Sequence, residues 1–431
     1  MSFSGNDVIS KSIEVLRKYP LCSRCLGRLF AKYGLGLSNI TRGKSIKTLV
    51  LMELHRLVIN DIKNLSLLKE VSNNIGFMPQ LVSRFSGITS SKTTCYICSN
   101  TIEDKILKLL DDVISELSKF KVRTFIISIR KGSEIERREL ELVSEFNLDA
   151  WESIRRELKR ELGKKVKSLL NIEPDFKYPD ALVLIDLDTL SVKVTTTPTY
   201  ILCRYVKLGR NISQLRWISG DGVRKHQLSI EDVVEPIAKL LSTEGLEIHT
   251  AGREDINVRV LGSGRPMIIE FRNVRDKTVG IDEVARNVSS NDFIRVSFDK
   301  YVEPKHLREF RSKKQLKIYR LLILSKSTIN GDVLEKLEKE FSNRIVRQRT
   351  PTRILRKRKR DTILNRKVYD IKVRKVNDYI LEILLKCDGG LYIKELVHGD
   401  CGRTSPSIVE VLNSELTILE IDLMDISPTE S

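Results

Sequence analysis

Three separated stretches of this sequence set polar side chains with chemical capability among apolar residues. The first runs His249-Thr250-Ala251-Gly252-Arg253-Glu254-Asp255-Ile256-Asn257-Val258-Arg259. The second is Lys317-Ile318-Tyr319-Arg320, and the third runs from Leu391 to Thr404 with Tyr392, Ile393 and Lys394 at its head. Gly252 permits a strained turn, which can present a carboxylate at the end of a strand. Taken alone, these residues say only that the Asp255 carboxylate lies near cations. An isolated Arg-x-Asp is more often a surface ion pair than a site.

A second constellation is made of thiols. Cys22-x-x-Cys25 and Cys95-x-x-Cys98 together supply four sulfurs. Tetrahedral Zn²⁺ takes four such ligands, and the Cys-x-x-Cys spacing lets both sulfurs of one turn face a single ion. A structural zinc is therefore expected, with four ordinary buried cysteines as the alternative. A catalytic zinc would keep a water position and mix in His or carboxylate. Cys203, Cys387 and Cys401 have no partner spacing and are expected to be packing residues. An odd total of seven Cys, four of them in these pairs, argues against a disulfide framework and for reduced thiols in the cytoplasm.

The balance of 75 Lys and Arg against 57 Asp and Glu gives a formal net charge of +18. A polyanionic partner follows, with nucleic acid ahead of an anionic membrane surface. Residues 343–367 hold eleven Lys or Arg and one acid, Asp361. Arg347, Arg349, Arg353, Arg356 and Arg358 are read there as phosphate contacts. This stretch lacks the apolar helical face that a membrane would need. No run of eighteen apolar residues suggests a span, and the N-terminus lacks the apolar core of a secretory signal.

The elements that must position these groups fall into two halves, and a chain of 431 residues suggests two or three domains. Apolar periodicity predicts helices over 6–18, 103–120 and 149–169, and β-branched runs predict strands over 122–129, 181–187 and 190–196. Beyond a boundary near residue 195, strands are expected at 200–207, 267–271 and 416–423. Helices are expected at 229–242 and 393–398, and Gly-rich turns at 262–265. Ser229 with Asp232 three residues later fits a helix N-terminal cap. The organisation read from the sequence is a domain over 1–195 and another over 196–431, in the α/β (α+β) class.

At Gly252-Arg253-Glu254-Asp255 the chain resembles the catalytic Gly-Arg-(Thr/Glu)-Asp motif of pseudouridine synthases. Further stretches extend the match: RYVKLGRNISQLRW (204–217), SIEDVVEP (229–236), KIYRLLILS (317–325), QRTPTRIL (348–355), YIKELVHGDCGRTSPS (392–407), ELKRELGKKV (157–166) and the two Cys pairs. In order and spacing they resemble the archaeal T-loop tRNA pseudouridine synthases of the Pus-ten family, over essentially the whole chain. The resemblance implies a catalytic domain built on a mixed, mostly antiparallel sheet, behind a zinc-binding, THUMP-like accessory domain that docks tRNA at its T-arm and elbow. It implies isomerisation of uridine-54, uridine-55 or both, with structural zinc and no catalytic cofactor. Asp255 would be the catalytic nucleophile, acting at C1′ or as a base at the 2′ position. Tyr319 would stack on the target uracil. Lys394, within the substrate-binding run Tyr392-Ile393-Lys394, would pair with the carboxylate. Ile393 and Leu423 would line the pocket, and Arg253 would hold the flipped nucleotide.

The sequence departs from the family pattern at Asn257, where Asp is usual, and at Met267, Leu321 and Leu391. The competing reading is a zinc-dependent tRNA-binding protein without activity. A methyltransferase would need a Gly-rich loop after a first strand, and a thiolation enzyme a pyrophosphatase loop. Neither is found.

Overall fold

Helices come before any strand. Val8–Lys18 begins at Asp7, whose carboxylate accepts the Ser10 N–H at 2.8 Å, and buries Ile13, Val15 and Leu16 on one stripe. Ser23–Leu29 then crosses Asn39–Asn60 at two glycines. A Cβ on Gly27 would lie 1.9 Å from the Asn39 carbonyl oxygen, and one on Gly43 would lie 1.8 Å from that of Ser23. Only glycine lets these two backbones touch. The computed structural model describes residues 7–76, 83, 93–250, 252–289, 291–313, 315–355 and 361–428. It divides into two compact units, Met1–Thr197 and Pro198–Ser431.

In the first unit, helix Leu65–Ile75 completes the helical part, and Ile102–Leu117 leads into strands. These are β1 (Thr124–Ile129), β2 (Glu173–Pro174), β3 (Ala181–Asp186) and β4 (Ser191–Thr196), with helices Glu134–Glu145 and Ile154–Leu170 between β1 and β2. The sheet order is β2-β1-β3-β4, parallel except for the β3–β4 hairpin. Helices Ser23–Leu29, Asn39–Asn60, Leu65–Ile75 and Glu134–Glu145 were not anticipated. Glu134–Glu145 shows why: beside Ile135 and Leu142, its buried positions are the carboxylates Glu136 and Glu139. Glu139 meets the fully buried Arg28 at 2.6 Å, so a charge pair does the work that an apolar stripe would have announced.

The second unit holds β5 (Thr199–Lys207), β6 (Gly245–Thr250), β7 (Arg259–Arg272), β8 (Ile294–Val302), β9 (Gln315–Ser325), β10 (Arg344–Arg349), β11 (Ile363–Lys375), β12 (Ile380–Asp388), β13 (Thr404–Ser405) and β14 (Leu416–Pro428). They form one ten-stranded sheet in the order β13-β10-β11-β12-β9-β14-β7-β5-β8, with β6 beside β7. Among the described residues only β14 and β7 pair in parallel, so the sheet is mixed and mostly antiparallel. Ser229 and Asp232 close a reciprocal capping box on helix Ile230–Leu240.

Two expectations are corrected here. The glycines at 262–265 make no turn; they lie inside β7, a strand of 14 residues. Gly262 and Gly264 adopt φ of +58° and +78°. A Cβ there would sit 2.1 Å from the Met424 carbonyl oxygen and 2.8 Å from that of Tyr205, so the glycines bring β14 and β5 close instead of ending the strand. Cys401 is exposed, whereas Cys203 and Cys387 are packing residues with no exposure. Among the described residues, no helix is long and apolar enough to cross a membrane.

Candidate active site

Asp255 owes its position to its neighbour. The loop between β6 and β7 passes through Gly252 at φ +82°. It then drives the Glu254 side chain, 2% exposed, down into the unit. There the carboxylate accepts hydrogen bonds from the Tyr205 hydroxyl at 2.8 and 2.9 Å and from Gln214 Nε2 at 3.1 Å. It pairs with Arg265 Nε at 3.0 Å and, more loosely, with Lys207 Nζ at 3.6 Å. Burial alone would raise its pKa, but the charges of Arg265 and Lys207 outweigh that and hold it below the ordinary value. The same cations grip the loop backbone. Arg265 Nη1 donates to the Gly252 carbonyl at 2.7 Å, and Lys207 Nζ to that of Asp255 at 3.4 Å. With Glu254 pinned inward, Asp255 is left partly exposed on a cleft of about 1590 Å³.

Two cations from different elements meet Asp255 there. Lys394, in the first turn of helix Ile393–His398, places Nζ 3.0 Å from Oδ2. Arg353, in the short helix Thr352–Leu355, places Nη1 3.3 Å from Oδ1. Glu395, 1% exposed, holds that arginine by contacts of 2.7 and 3.3 Å. Lys394 also donates to Asn257 Oδ1 at 3.3 Å, so the amide at this position accepts where a carboxylate is usual. Gln348 fixes the start of the Lys394 helix by accepting the Tyr392 N–H at 2.8 Å and donating to its carbonyl at 3.0 Å. Partial burial pushes the Asp255 carboxyl up; Arg353 and Lys394 together pull it down further, and the net pKa is lowered.

Strand β9 supplies the facing wall. Its alternation buries Lys317, Tyr319, Leu321 and Ile323 on one side. Tyr319 is 8% exposed, and burial raises its pKa, so the phenol keeps its proton. On the opposite side of the sheet, Arg259 and Arg320 converge with Arg210 on the buried Asp422, at 2.6, 3.2 and 2.8 Å. Asp422 is paired in register with Arg320 and Arg259 on the two flanking strands, so the cluster ties β14 to both.

Asp255, Tyr319, Tyr392, Ile393, Lys394 and Arg253 all line this one cleft. Leu423 does not: it lies fully buried opposite Tyr319 in register, and Ile421 reaches the wall instead. Arg347 and Arg349 are exposed on β10, with Arg349 paired to Asp361 at 2.8 Å. Arg356 and Arg358 lie outside the described residues. The contact of Arg353 with Asp255 and the inward turn of Glu254 were not legible. The Tyr205-x-Lys207 alternation was the available signal, because it sends a hydroxyl and an amine into the same buried face.

In the first unit, Cys22, Cys25, Cys95 and Cys98 bring their sulfurs within 4.8 Å of one another, and the group could hold a metal ion. Cys22 and Cys98 are 3.7 Å apart, close to the ~3.8 Å edge of a tetrahedron with metal–sulfur bonds of about 2.3 Å. Arg28 Nη2 lies 3.8 Å from Cys25 Sγ and offers positive charge to a thiolate. Four sulfurs around one point fit a closed, soft-ligand site.

Residues 200–427 match the family model described as "Pus10, C-terminal", and residues 109–186 match "Pus10 THUMP domain, archaeal". A tRNA pseudouridine synthase Pus10 of Ignisphaera aggregans is 38% identical over 97% of this chain and 98% of its own length. That of Thermosphaera aggregans is 37% identical over 97% of this chain and 96% of its own. That of Methanocaldococcus jannaschii is 34% identical over 99% and 96%. A solved Cbf5-Nop10-Gar1 complex is similar at a TM-score of 0.30 and 17% identity, over 53% of this chain and 48% of that one.

Proposed function

The chain belongs to the Pus10 family of tRNA pseudouridine synthases, and from that premise we propose that it isomerises uridine to pseudouridine at position 54, position 55 or both in the T-loop of tRNA, with Asp255 as its catalytic nucleophile. The observation that carries this reading is an ionised carboxylate, flanked by Lys394 at 3.0 Å and Arg353 at 3.3 Å, facing the same large cleft as a buried tyrosine. The reaction breaks N1–C1′, turns the uracil and rejoins it through C5. It is redox-neutral, and one carboxylate suffices. Attack at C1′ and removal of a proton at the 2′ position both require that carboxylate to be charged, which the two cations favour.

The target base must first leave its stack, and Arg253 at the cleft rim holds the flipped nucleotide. The Tyr319 ring then offers a flat face to the loose base, and its phenol remains available as a proton donor. Tyr392 and Ile393 close the side of the pocket. Exposed arginines on β10, Arg347 and Arg349, contact phosphates of the T-arm and elbow. In the accessory domain, read as 1–195, Cys22, Cys25, Cys95 and Cys98 hold a structural zinc that clips the N-terminal helices to the THUMP-like part in the cytoplasmic enzyme.

The test is pseudouridine mapping on an unmodified tRNA transcript after incubation with the protein. New pseudouridine confined to position 54 or 55 is the expected result. Tight tRNA binding without any pseudouridine would instead support a binding protein without activity.

A further inference from the structure

Lys317 is a buried amine for which the mechanism above has no use. It sits two residues before Tyr319 on β9, on the same face, and lines the same cleft as Asp255. It is 5% exposed. Among the described residues, no acceptor or carboxylate lies within bonding distance of its Nζ. The groups that act on it electrostatically are Arg265, which repels it, the buried Cys387 thiol, and Glu254, which is already engaged by Arg265, Lys207, Tyr205 and Gln214. Glycines border it on two sides, each where an added Cβ would make ordinary van der Waals contact with it. A Cβ on Gly252 would come 3.6 Å from Nζ, and one on Gly389 would come 3.6 Å from Cε. A buried ammonium without acceptors is costly. Burial first, then Arg265, lowers its pKa to about 8, which still leaves it mainly charged at neutral pH. The arrangement keeps a cation with open hydrogen-bond donors beside the tyrosine face on which the base is read to stack.

We propose that Lys317 is a further catalytic residue, whose ammonium donates a hydrogen bond to the uracil ring and stabilises the negative charge this base carries while detached from the sugar. The inference rests on the pseudouridine synthase reading. When N1–C1′ breaks, the bonding electron pair stays with the base and spreads over N1, O2 and O4. The same anion leaves whether the carboxylate attacks C1′ or removes the 2′ proton. The ammonium keeps its proton throughout. The charge disappears when C5 bonds to C1′; C5 then gives up a proton and N1 gains one, so nothing is oxidised or reduced. A cation fixed where charge develops acts with little reorganisation.

Full-length wild type and Lys317→Met are compared in single turnovers on tRNA carrying uridine or 5-fluorouridine at the target position. Fluorine makes the detached base a weaker base, so its anion needs less help. Wild type is expected to carry both through N1–C1′ cleavage and C5–C1′ bond formation; the fluorinated base, with no proton to lose at C5, then takes up water across C6–N1. The variant should lose on the order of 100-fold in rate on uridine, clearly less on 5-fluorouridine, and bind tRNA within about threefold of wild type. Equal losses on the two substrates would overturn the proposal in favour of mere positioning. A loss in binding alone would overturn it in favour of a phosphate contact, and no loss would also overturn it. Wild type that rearranges neither substrate would overturn the functional reading itself. If the methionine variant fails to fold, Lys317→Gln supports the same comparison.

Discussion

Asp255 is kept ionised by two cations that reach it from different helices, and removing either should show in its titration. Lys394→Met takes away the 3.0 Å partner while Arg353 stays. The Asp255 carboxyl then rises toward its ordinary value, so activity should fail at a higher pH on the acid side than in wild type. A single-turnover pH–rate profile reads this directly, and an unmoved acid limb would count against the pairing. Glu254 makes a separate prediction. Glu254→Gln leaves Arg265 and Lys207 buried without their carboxylate and should cost about 3–5 kcal/mol in urea unfolding near neutral pH. Its folded pKa is depressed, so the wild-type advantage exists above the unfolded pKa and fades as pH falls through the folded one. The gap between variant and wild type should therefore narrow in acid. Chemistry-bearing residue types were readable: Asp255, Tyr319 and Lys394 stood out in separate stretches, and they share one cleft. Glu254 was read only as a tolerated letter in a motif, because a carboxylate's direction is set by partners 40 to 49 positions away, at Gln214 and Tyr205.

At the level of elements, the sequence was clearest where local chemistry decides. Ser229 and Asp232 cap their helix as their spacing suggested. The β-branched run of β1 and the hairpin of β3 and β4 formed close to their expected bounds. It was least clear where glycine serves packing. Gly262 and Gly264 read as a turn, yet they let a long strand touch both neighbours. Gly262→Ala would place a Cβ 2.1 Å from the Met424 carbonyl oxygen and force L-residue strain at φ +58°. It should destabilise the protein by at least about 2 kcal/mol, seen as a lowered unfolding midpoint. A variant as stable as wild type would mean that β14 and β7 do not approach this closely.

For the whole molecule, the net charge of +18 pointed to a polyanion before any site was known. Short motifs spread along the chain gave the resemblance to the Pus-ten family, and the matches across nearly the full length give the same family. The N-terminal helices were harder to read, since their crossing depends on Gly27 and Gly43 and their ties on buried ion pairs such as Arg28 with Glu139. Charge also sets how binding responds to salt. The logarithm of tRNA affinity should fall linearly with that of salt concentration, and Arg347→Ala should lower the slope by about one if this arginine neutralises one phosphate. An unchanged slope would remove β10 from the RNA footprint.

The central claim is that the Asp255 carboxylate performs the chemistry. The measurement closest to it follows release of tritium from tRNA labelled at uridine C5, because that hydrogen leaves only when C5 bonds to the sugar. Wild type should release the label from a T-loop uridine. Asp255→Asn, with nearly the same shape and no charge, should release none while still binding tRNA. Release by Asp255→Asn at a rate near wild type would contradict the account.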